Sequence, residues 1–321
     1  MASEFDLIAR HFSQASPPGM VGVGDDCAIF TPPAGHQVVT STDLLLEGRH
    51  FFPDVDPRAL GHKALAVNLS DLAAMGATPT ACVLGVGLPQ VDEPWLAAFA
   101  QGFLALAGQH ACPLLGGDTT RSSHGLVISV TVFGTVVPGQ ALLRSAGQCG
   151  DDVWVSGSLG AADLAYRLLA GLIPADAQRL RDTRQALEWP TPRIGLGQAL
   201  AGVAHAALDI SDGLLQDLGH ILTASGLGAD LCYDAMPAHP ALTGLPEPVV
   251  SHAVLAGGDV YELCFTASPG RREDILAIGR ACAVPLARVG TLRSEAGISL
   301  SRAGKPMALP PASGFDHFSE P

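Results

Sequence analysis

The feature of this sequence that most constrains its fold is a set of six short acidic segments at the borders of apolar stretches. The six segments are Gly22–Asp26, Ser41–Asp43, Leu69–Ala74, Gly116–Thr120, Asp209–Gly213 and Gly257–Glu262. Taken singly, an aspartate beside glycine is most simply a turn residue or a helix N-cap. Asp71 is different, because a carboxylate between Leu69 and Leu72 is costly to bury without a partner. Together the six segments predict that their acids converge at one face of a sheet, where α/β proteins place their sites.

The stretches between these segments alternate between helix-like and strand-like patterns. Helices are predicted over Glu4–Phe12, Leu60–Met75, Pro94–Gln109, Ala161–Leu172, Pro174–Leu187 and Leu214–Ala224. Strands are predicted over Val38–Asp43, Ala81–Leu88, Leu126–Val137, Asp152–Ser156, Ala206–Ile210, Tyr261–Ala267 and Ala287–Leu292. This alternation predicts an α/β or α+β protein. The polar stretch Pro138–Gly150 predicts a boundary between two similar-sized domains, 1–140 and 141–321.

The charge balance limits what the protein binds. The chain has 18 basic and 31 acidic side chains, a formal net charge of −13. Such a surface repels nucleic acid and anionic lipid, so neither is an expected partner. Two carboxylates about 4 Å apart repel by about 4 kcal/mol at an effective dielectric of 20. A cluster of acids therefore needs divalent cations, and oxygen ligands favour Mg²⁺ or Mn²⁺ over zinc.

Cysteine usage and hydropathy point to a soluble protein of the cytoplasm. The seven cysteines are scattered and form no C-x-x-C, which argues against a disulfide framework and a zinc–thiolate site. No signal peptide is visible at the N-terminus. The longest uncharged stretch, Trp95–Gly117, is interrupted by polar residues and a proline. It predicts a buried helix followed by a buried strand, and no membrane span.

The common phosphate-binding motifs are missing from the sequence. There is no G-x-x-x-x-G-K-[ST], no H-R-D with D-F-G, no G-x-G-x-x-G and no G-x-S-x-G. The glycine-rich segments nevertheless let backbone N–H groups approach phosphate oxygens. The residues alone thus predict Mg²⁺-dependent nucleotide or phosphate chemistry without a P-loop.

An ordered set of motifs from one end of the chain to the other carries a family resemblance. The motifs are Glu4–Ile8, Gly24–Ala28, Ser41–Asp43, Glu47–Phe51, Lys63–Ala77, Gly116–Thr120, Asp209–Leu214, Tyr261–Leu263 and Gly314–Phe318. The block Asn68–Ala77 is highly specific, and the others are strong as an ordered set. With these motifs the chain resembles the thiamine-monophosphate kinase family, within the superfamily of aminoimidazole-ribonucleotide synthetase-like enzymes.

The resemblance implies ATP-dependent phosphorylation of thiamine monophosphate to thiamine diphosphate. It implies an N-terminal mixed-sheet domain that pairs with its copy in a homodimer, and a C-terminal α/β domain behind it. ATP and several Mg²⁺ are expected in the cleft between these parts. Direct in-line transfer without a phospho-enzyme is predicted, because the acceptor phosphate is already largely ionised at neutral pH.

The resemblance also implies roles for particular residues. The expected metal shell is Asp26, Ser41, Thr42, Asp43, Asp71, Asp118, Asp209 and Asp212. The expected nucleotide contacts are Gly117, Asp118, Arg144 and Ser211. The expected contacts to the thiamine phosphate are His50, Glu262 and Phe315. No catalytic residue is expected beyond the metal shell and Arg144.

One departure from the family pattern leaves alternatives open. The family usually has a second acid immediately before Tyr261, and here that position is Val260. Arg49 is also unusual in its segment. The alternatives are a catalytically weak sensor that binds nucleotide or thiamine phosphate, and a sister ATP-dependent enzyme of the same superfamily.

Overall fold

The computed structural model describes residues 4–24, 26–311 and 314–315. Asp25 and Asp316–Phe318, which belong to two of the motifs, lie outside the described residues. The chain divides into two compact units. One comprises Met1–Leu72 with Ala77–Gly139, and the other Ala73–Gly76 with Gln140–Pro321.

The first unit is built on a four-stranded mixed sheet. Its elements are α1 (Glu4–Leu7, continuing as a π-helical turn over Ile8–Phe12), β1 (Gln37–Leu46), α2 (Pro57–Ala74, whose last two residues are assigned to the second unit), β2 (Thr78–Leu88), α3 (Glu93–Gln109), β3 (Leu114–Arg121) and β4 (Val127–Val136). The strand order is β1-β4-β2-β3, in which β2 and β3 are parallel and the other pairs antiparallel. The sheet is therefore mixed, as expected.

Helices α2 and α3 pack closely through two glycines. A Cβ at Gly61 would collide with the carbonyl of Phe99, and one at Gly102 with the carbonyl of Arg58. Helix α2 is buried at almost every position from Ala59 to Ala74, which explains why its sequence lacks a polar face. None of the helices in the described parts of the chain is long and apolar enough to cross a membrane.

The second unit is built on a seven-stranded sheet. Its elements are β5 (Asp152–Ser156), α4 (Ala161–Leu169), α5 (Ala177–Glu188), α6 (Ile194–Leu200), β6 (Ala206–Asp209), α7 (Leu214–Ser225), β7 (Gly228–Cys232), α8 (Glu247–Leu255), β8 (Leu263–Ala267), α9 (Arg272–Ala281), β9 (Leu286–Arg293), β10 (Gly297–Arg302) and β11 (Lys305–Met307). The strand order is β11-β10-β7-β9-β5-β8-β6, and β7 and β10 form the parallel pair. Its core joins the apolar faces of β5, β6, β7 and α7, with Val153, Leu208, Leu218 and Ala229 fully or almost fully buried.

The sequence predicts that Asp43 and Asp118 each end a strand and that the acids lie at one face of a single sheet. Both predictions are wrong. Asp43 lies inside β1, opposite Val130 of β4, and Asp118 lies inside β3, opposite Gly85 of β2. An acid on a half-exposed strand face leaves the backbone pairing intact, so the strand continues past it. The acids also fall into two groups, one on each unit, and do not share one sheet face. Asp209 is the last residue of β6, one residue before the predicted end of that strand at Ile210.

Candidate active site

A carboxylate pair links β1 to α2 in the first unit. The Ser41 hydroxyl donates to Oδ2 of Asp71 at 2.5 Å. Ser41 and Asp43 are two residues apart on a strand and therefore lie on one face. The backbone N–H of Asp43 donates to Oδ1 of Asn68 at 3.0 Å, and the Asn68 amide donates to the carbonyl of Ala64 at 3.0 Å. Buried Asn68 thus fixes the strand against the helix that carries Asp71.

Burial, and secondly the charge of Asp71, raise the pKa of Asp43 to about 7. Two carboxylates in a half-buried place attract a cation, and the donors here are all oxygen. Such a set fits Mg²⁺, which usually takes one or two protein carboxylates and completes its shell with phosphate oxygens and water. Within the described ranges, no group of three or more His, Cys, Asp or Glu side chains lies close enough together to hold a metal.

Thr42 points to the opposite face of β1. Its hydroxyl makes a hydrogen bond with that of Thr131 and donates to the carbonyl of Val130 at 3.2 Å. The structure therefore brings Ser41, Asp43 and Asp71 together and leaves the Thr42 side chain apart from them.

Asp26 and Asp118 line a cavity of 820 Å³ within the first unit. Its walls include apolar side chains of the N-terminal helical turn and of β2, among them Ile8, Phe12 and Val86. Acid at one part of the wall and apolar side chains at another suit a ligand with a charged end and a flat apolar end.

Gly117 lies on the wall of this cavity and needs to be glycine. Its φ is +154°, and a Cβ there would collide with the backbone of Leu84 on the neighbouring strand. The absence of a side chain lets β3 approach β2 closely beside Asp118.

His50 follows β1 in a turn and is half-buried. Its Nδ1 accepts the backbone N–H of Leu46 at 2.9 Å, and its carbonyl accepts from Nζ of Lys63 at 3.2 Å. Because Nδ1 is an acceptor, the neutral ring carries its proton on Nε2.

In the second unit, the loop after β6 presents Ser211 and Asp212. Asp209, the last residue of β6, is 6% exposed. The loop enters α7 through Gly213, whose φ is +127° and where a Cβ would collide with the backbone of Ala256. The N–H groups of the loop point to Asp217, a residue that the sequence analysis did not select. Burial raises the pKa of Asp217 to about 7, although the N–H donors act in the opposite direction.

A second loop holds the carbonyl side of this segment. The N–H of Asp259 donates to the carbonyl of Ser211 at 2.8 Å, and that of Tyr261 to the carbonyl of Ile210 at 2.7 Å. Asp259 and Tyr261 both have positive φ, 58° and 53°, a costly conformation that neighbouring structure must support. Val260 lies between them and packs against the apolar core.

Glu262 is held in an internal ion pair. It is 7% exposed, and Arg193 donates to both of its carboxylate oxygens, with Nε at 2.8 Å from Oε2. The buried Ser156 hydroxyl donates to Oε2 as well. Burial alone would lower the pKa of Arg193, but the pairing with Glu262 outweighs it and the pKa is raised.

Phe315 and Arg144 lie at the surface of the second unit. The Phe315 N–H donates to the carbonyl of Asp212 at 2.9 Å, and Gln216 donates to the Phe315 carbonyl at 2.8 Å, so this residue rests on the acidic loop. Phe315 is 37% exposed. Arg144 is exposed, and its carbonyl accepts from the Ser225 hydroxyl at 2.9 Å.

Sequence reasoning missed three residues that organise these groups: Asn68, Asp217 and Arg193. Asn68 is inside the most specific motif block and was detectable as a polar residue in an apolar helix. Asp217 lies four residues after Gly213, a spacing that places it in the first turn of the following helix. Arg193 is 69 residues from Glu262 and carried no local signal.

Comparisons with known proteins show which family this chain resembles in sequence and in fold. A family described as AIR synthase related protein, N-terminal domain, matches residues 24–136. The thiamine-monophosphate kinase of Salmonella typhimurium is 40% identical over 327 residues, with 99% of each chain covered. The crystal structure of thiamine-monophosphate kinase from Stenotrophomonas maltophilia is 42% identical, with a TM-score of 0.83, over 94% of this chain and 95% of that one. The structure of AaThiL complexed with AMPPCP and TMP is 26% identical, with a TM-score of 0.77, over 90% and 89% of the two chains.

Proposed function

The chain belongs to the thiamine-monophosphate kinase family, and we propose that it transfers the γ-phosphoryl group of ATP directly to thiamine monophosphate with the help of several Mg²⁺ ions. It is a thiamine-phosphate kinase that uses ATP as co-substrate and yields thiamine diphosphate and ADP. The relative that is complexed with an ATP analogue and TMP supports both substrates.

The observation that carries the metal-assisted part of the proposal is the pair Asp43 and Asp71. A bound cation stabilises the ionised form of a carboxyl most where burial and a second acid oppose ionisation, as at Asp43, whose pKa is about 7. Asp43 and Asp71, together with the Ser41 hydroxyl, would hold Mg²⁺, and Asp26, Asp118, Asp209 and Asp212 are further proposed ligands. Bound Mg²⁺ supplies neutralisation of the charge on the transferring phosphoryl group.

The chain's own residues bind the two substrates and orient them for the transfer. The acceptor oxygen belongs to a phosphate that is largely ionised at neutral pH, so a strong general base is unnecessary. Positioning and charge neutralisation account for most catalysis of phosphoryl transfer. Gly117, Asp118, Ser211 and Arg144 are proposed to contact the nucleotide, and Arg144 to neutralise transferring charge.

The thiamine phosphate is proposed to contact His50, Glu262 and Phe315. The half-exposed Phe315 ring offers a face to the cationic thiazolium, a contact worth about 0.5–2 kcal/mol. Glu262 is already neutralised by Arg193, so it would serve as an oriented hydrogen-bond acceptor and not as the counter-charge of the ring.

A homodimer through the first unit is part of the proposal, which assigns nucleotide binding and dimerisation to residues 1–140. Strand β1 is at an edge of its sheet and exposes Val38, Leu44 and Leu46 at 48%, 51% and 37%. An edge strand with exposed apolar side chains is a template for pairing with another strand. Light scattering should give a dimer for the wild type and a monomer for Leu44→Glu; a monomeric wild type at micromolar concentration would contradict the proposal.

The decisive test is thiamine diphosphate formation from thiamine monophosphate and ATP, with and without Mg²⁺. Product that requires Mg²⁺ and both substrates is expected. Asp71→Asn should lower the rate by about 10-fold or more, since loss of even a group that supports a metal ligand typically costs about 10–100-fold, while Asp92→Asn, at an exposed helix cap, is the matched control. Mg²⁺-dependent ATP binding without turnover in the wild type would instead support the sensor.

A further inference from the structure

Asp217 holds the loop that presents Ser211 and Asp212. It lies in the first turn of α7 and is 4% exposed. Its Oδ2 accepts three consecutive backbone N–H groups, those of Ser211, Asp212 and Gly213, each at 3.0 Å. A carboxylate that accepts three N–H donors is a strong, charge-assisted anchor.

These donors distinguish Asp217 from an ordinary helix cap. A capping side chain accepts the free N–H groups of the first helical turn. The donors to Asp217 all precede Leu214, the first residue of α7. Asp217 therefore reaches back out of its helix to the loop, and what it fixes is the loop itself.

The carbonyl groups of the same three residues are also engaged. Those of Ser211, Asp212 and Gly213 accept the N–H groups of Asp259, Phe315 and Asp217 at 2.8, 2.9 and 3.0 Å. All six backbone polar groups of the loop are thus hydrogen-bonded inward. A backbone held at every group keeps its side chains in one orientation, which is how a binding residue is preorganised.

From this geometry we infer that Asp217 is a positioning residue for Mg²⁺–nucleotide binding, acting through the orientation of Ser211 and Asp212. The inference rests on the proposed function, in which these two side chains contact nucleotide and metal. Removing a group that orients a metal ligand typically costs 10–100-fold in metal affinity or activity.

The test compares Asp217→Ala and Asp217→Asn with Asp151→Asn in the full-length protein. Asp151 is a matched control, because it is 3% exposed, belongs to the same unit and also accepts a loop N–H, that of Gln148 at 3.0 Å. Calorimetry measures the affinity for AMPPCP in Mg²⁺ at a temperature where circular dichroism shows each variant folded. We expect binding 10–100-fold weaker for Asp217→Ala. Asp217→Asn should fall in between, since its amide oxygen still accepts, and Asp151→Asn should match the wild type.

The outcomes separate the inference from the proposed function. A wild type that fails to bind Mg²⁺–AMPPCP would refute the proposed function, and the inference with it. Wild-type affinity in Asp217→Ala, or in Asp217→Asn if the alanine variant does not fold, would refute the inference alone. The kinetic counterpart is a KM for ATP that rises more than the KM for thiamine monophosphate; an equal rise of both would indicate a merely structural role.

Discussion

Replacing Asp43 by asparagine should stabilise the metal-free protein at alkaline pH while it impairs the kinase. Burial and the charge of Asp71 hold the pKa of Asp43 at about 7, against an ordinary value of 3.8. Each tenfold change in acid dissociation is worth about 1.4 kcal/mol. Ionising Asp43 therefore costs up to about 4 kcal/mol more in the folded protein than in the unfolded chain.

The sign of the pH dependence follows from the raised pKa. A folded protein that holds the Asp43 proton more tightly than the unfolded chain loses stability as the pH rises from about 4 to about 7, and loses no more above 7. Asparagine has no ionisable proton, so the Asp43→Asn variant does not lose stability from this source as the pH rises. Between pH 5 and pH 8 the stability advantage of Asp43→Asn over the wild type should grow by about 3 kcal/mol, from two pH units at about 1.4 kcal/mol each.

The assay is urea unfolding in EDTA at pH 5 and pH 8, followed by tryptophan fluorescence, with hydrogen exchange of α2 to report on the first unit. Asp92→Asn is the control, since asparagine caps a helix as well as aspartate does. Added Mg²⁺ should stabilise the wild type more than the Asp43→Asn variant at pH 8, because a ligand stabilises the state it binds. The reasoning would be refuted if the stability advantage of Asp43→Asn over the wild type were no larger at pH 8 than at pH 5.

Three further substitutions test other parts of the site. Arg193→Met leaves Glu262 buried and unpaired, so thermal unfolding should show a loss of about 3–5 kcal/mol, and the KM for thiamine monophosphate should rise more than that for ATP. Gly117→Ala drives a Cβ into the backbone of Leu84, so it should lower the free energy of unfolding by about 1–3 kcal/mol, the range for overpacking, and it should weaken Mg²⁺–AMPPCP binding in calorimetry because the displaced strand β3 carries Asp118. Val260→Asp places a carboxylate against the apolar core, so it should destabilise the protein in EDTA by about 1–3 kcal/mol, and it should lower the Mg²⁺ concentration that gives half the maximal rate.

Each of these predictions has a control or a contrary outcome. Arg193→Lys should lose less stability than Arg193→Met, and equal losses would show that the charge of the pair is unimportant. Gly116→Ala is the control for Gly117, because a Cβ there meets nothing nearer than 3.8 Å. An unchanged Mg²⁺ requirement in Val260→Asp would mean that the acid usual in the family at this position does not contribute to metal binding here.

Local patterns predicted the elements that carry the first unit's site. Helix α3 begins at Glu93, one residue before its predicted start at Pro94, and Asp92 accepts the N–H of Trp95 at 3.1 Å. Helix α2 was predicted within a few residues of its bounds, and Asp71 lies inside it as expected. These features depend on residues close together in the chain. Helices α6, α8 and α9 were not predicted, because with 7, 9 and 10 residues they are too short to show a clear helical period.

The partners of the acids were not predictable in the same way. The pairing of Arg193 with Glu262 joins residues 69 positions apart, and the contact of Ser41 with Asp71 joins residues 30 apart. Such contacts follow from strand order and packing, which no local pattern specifies. The expectation that each acid ends its strand failed for the same reason: a strand ends where its partner strand stops pairing, and β4 pairs with β1 through Leu46.

The two units use the same device to place their acidic segments. In each unit, a buried polar side chain that is not itself a proposed metal ligand accepts backbone N–H groups. Asn68 accepts that of Asp43, and Asp217 accepts those of the loop from Ser211 to Gly213. A backbone fixed in this way keeps an acidic side chain in place even when burial and neighbouring charge oppose its ionisation. The metal-free protein therefore retains carboxylates that cost stability, and in the proposed function a bound cation would recover that cost. Ligand affinity and unfolding free energy should accordingly be coupled in this protein, and a variant that relieves the charge without disturbing the backbone should gain unfolding free energy and lose ligand affinity.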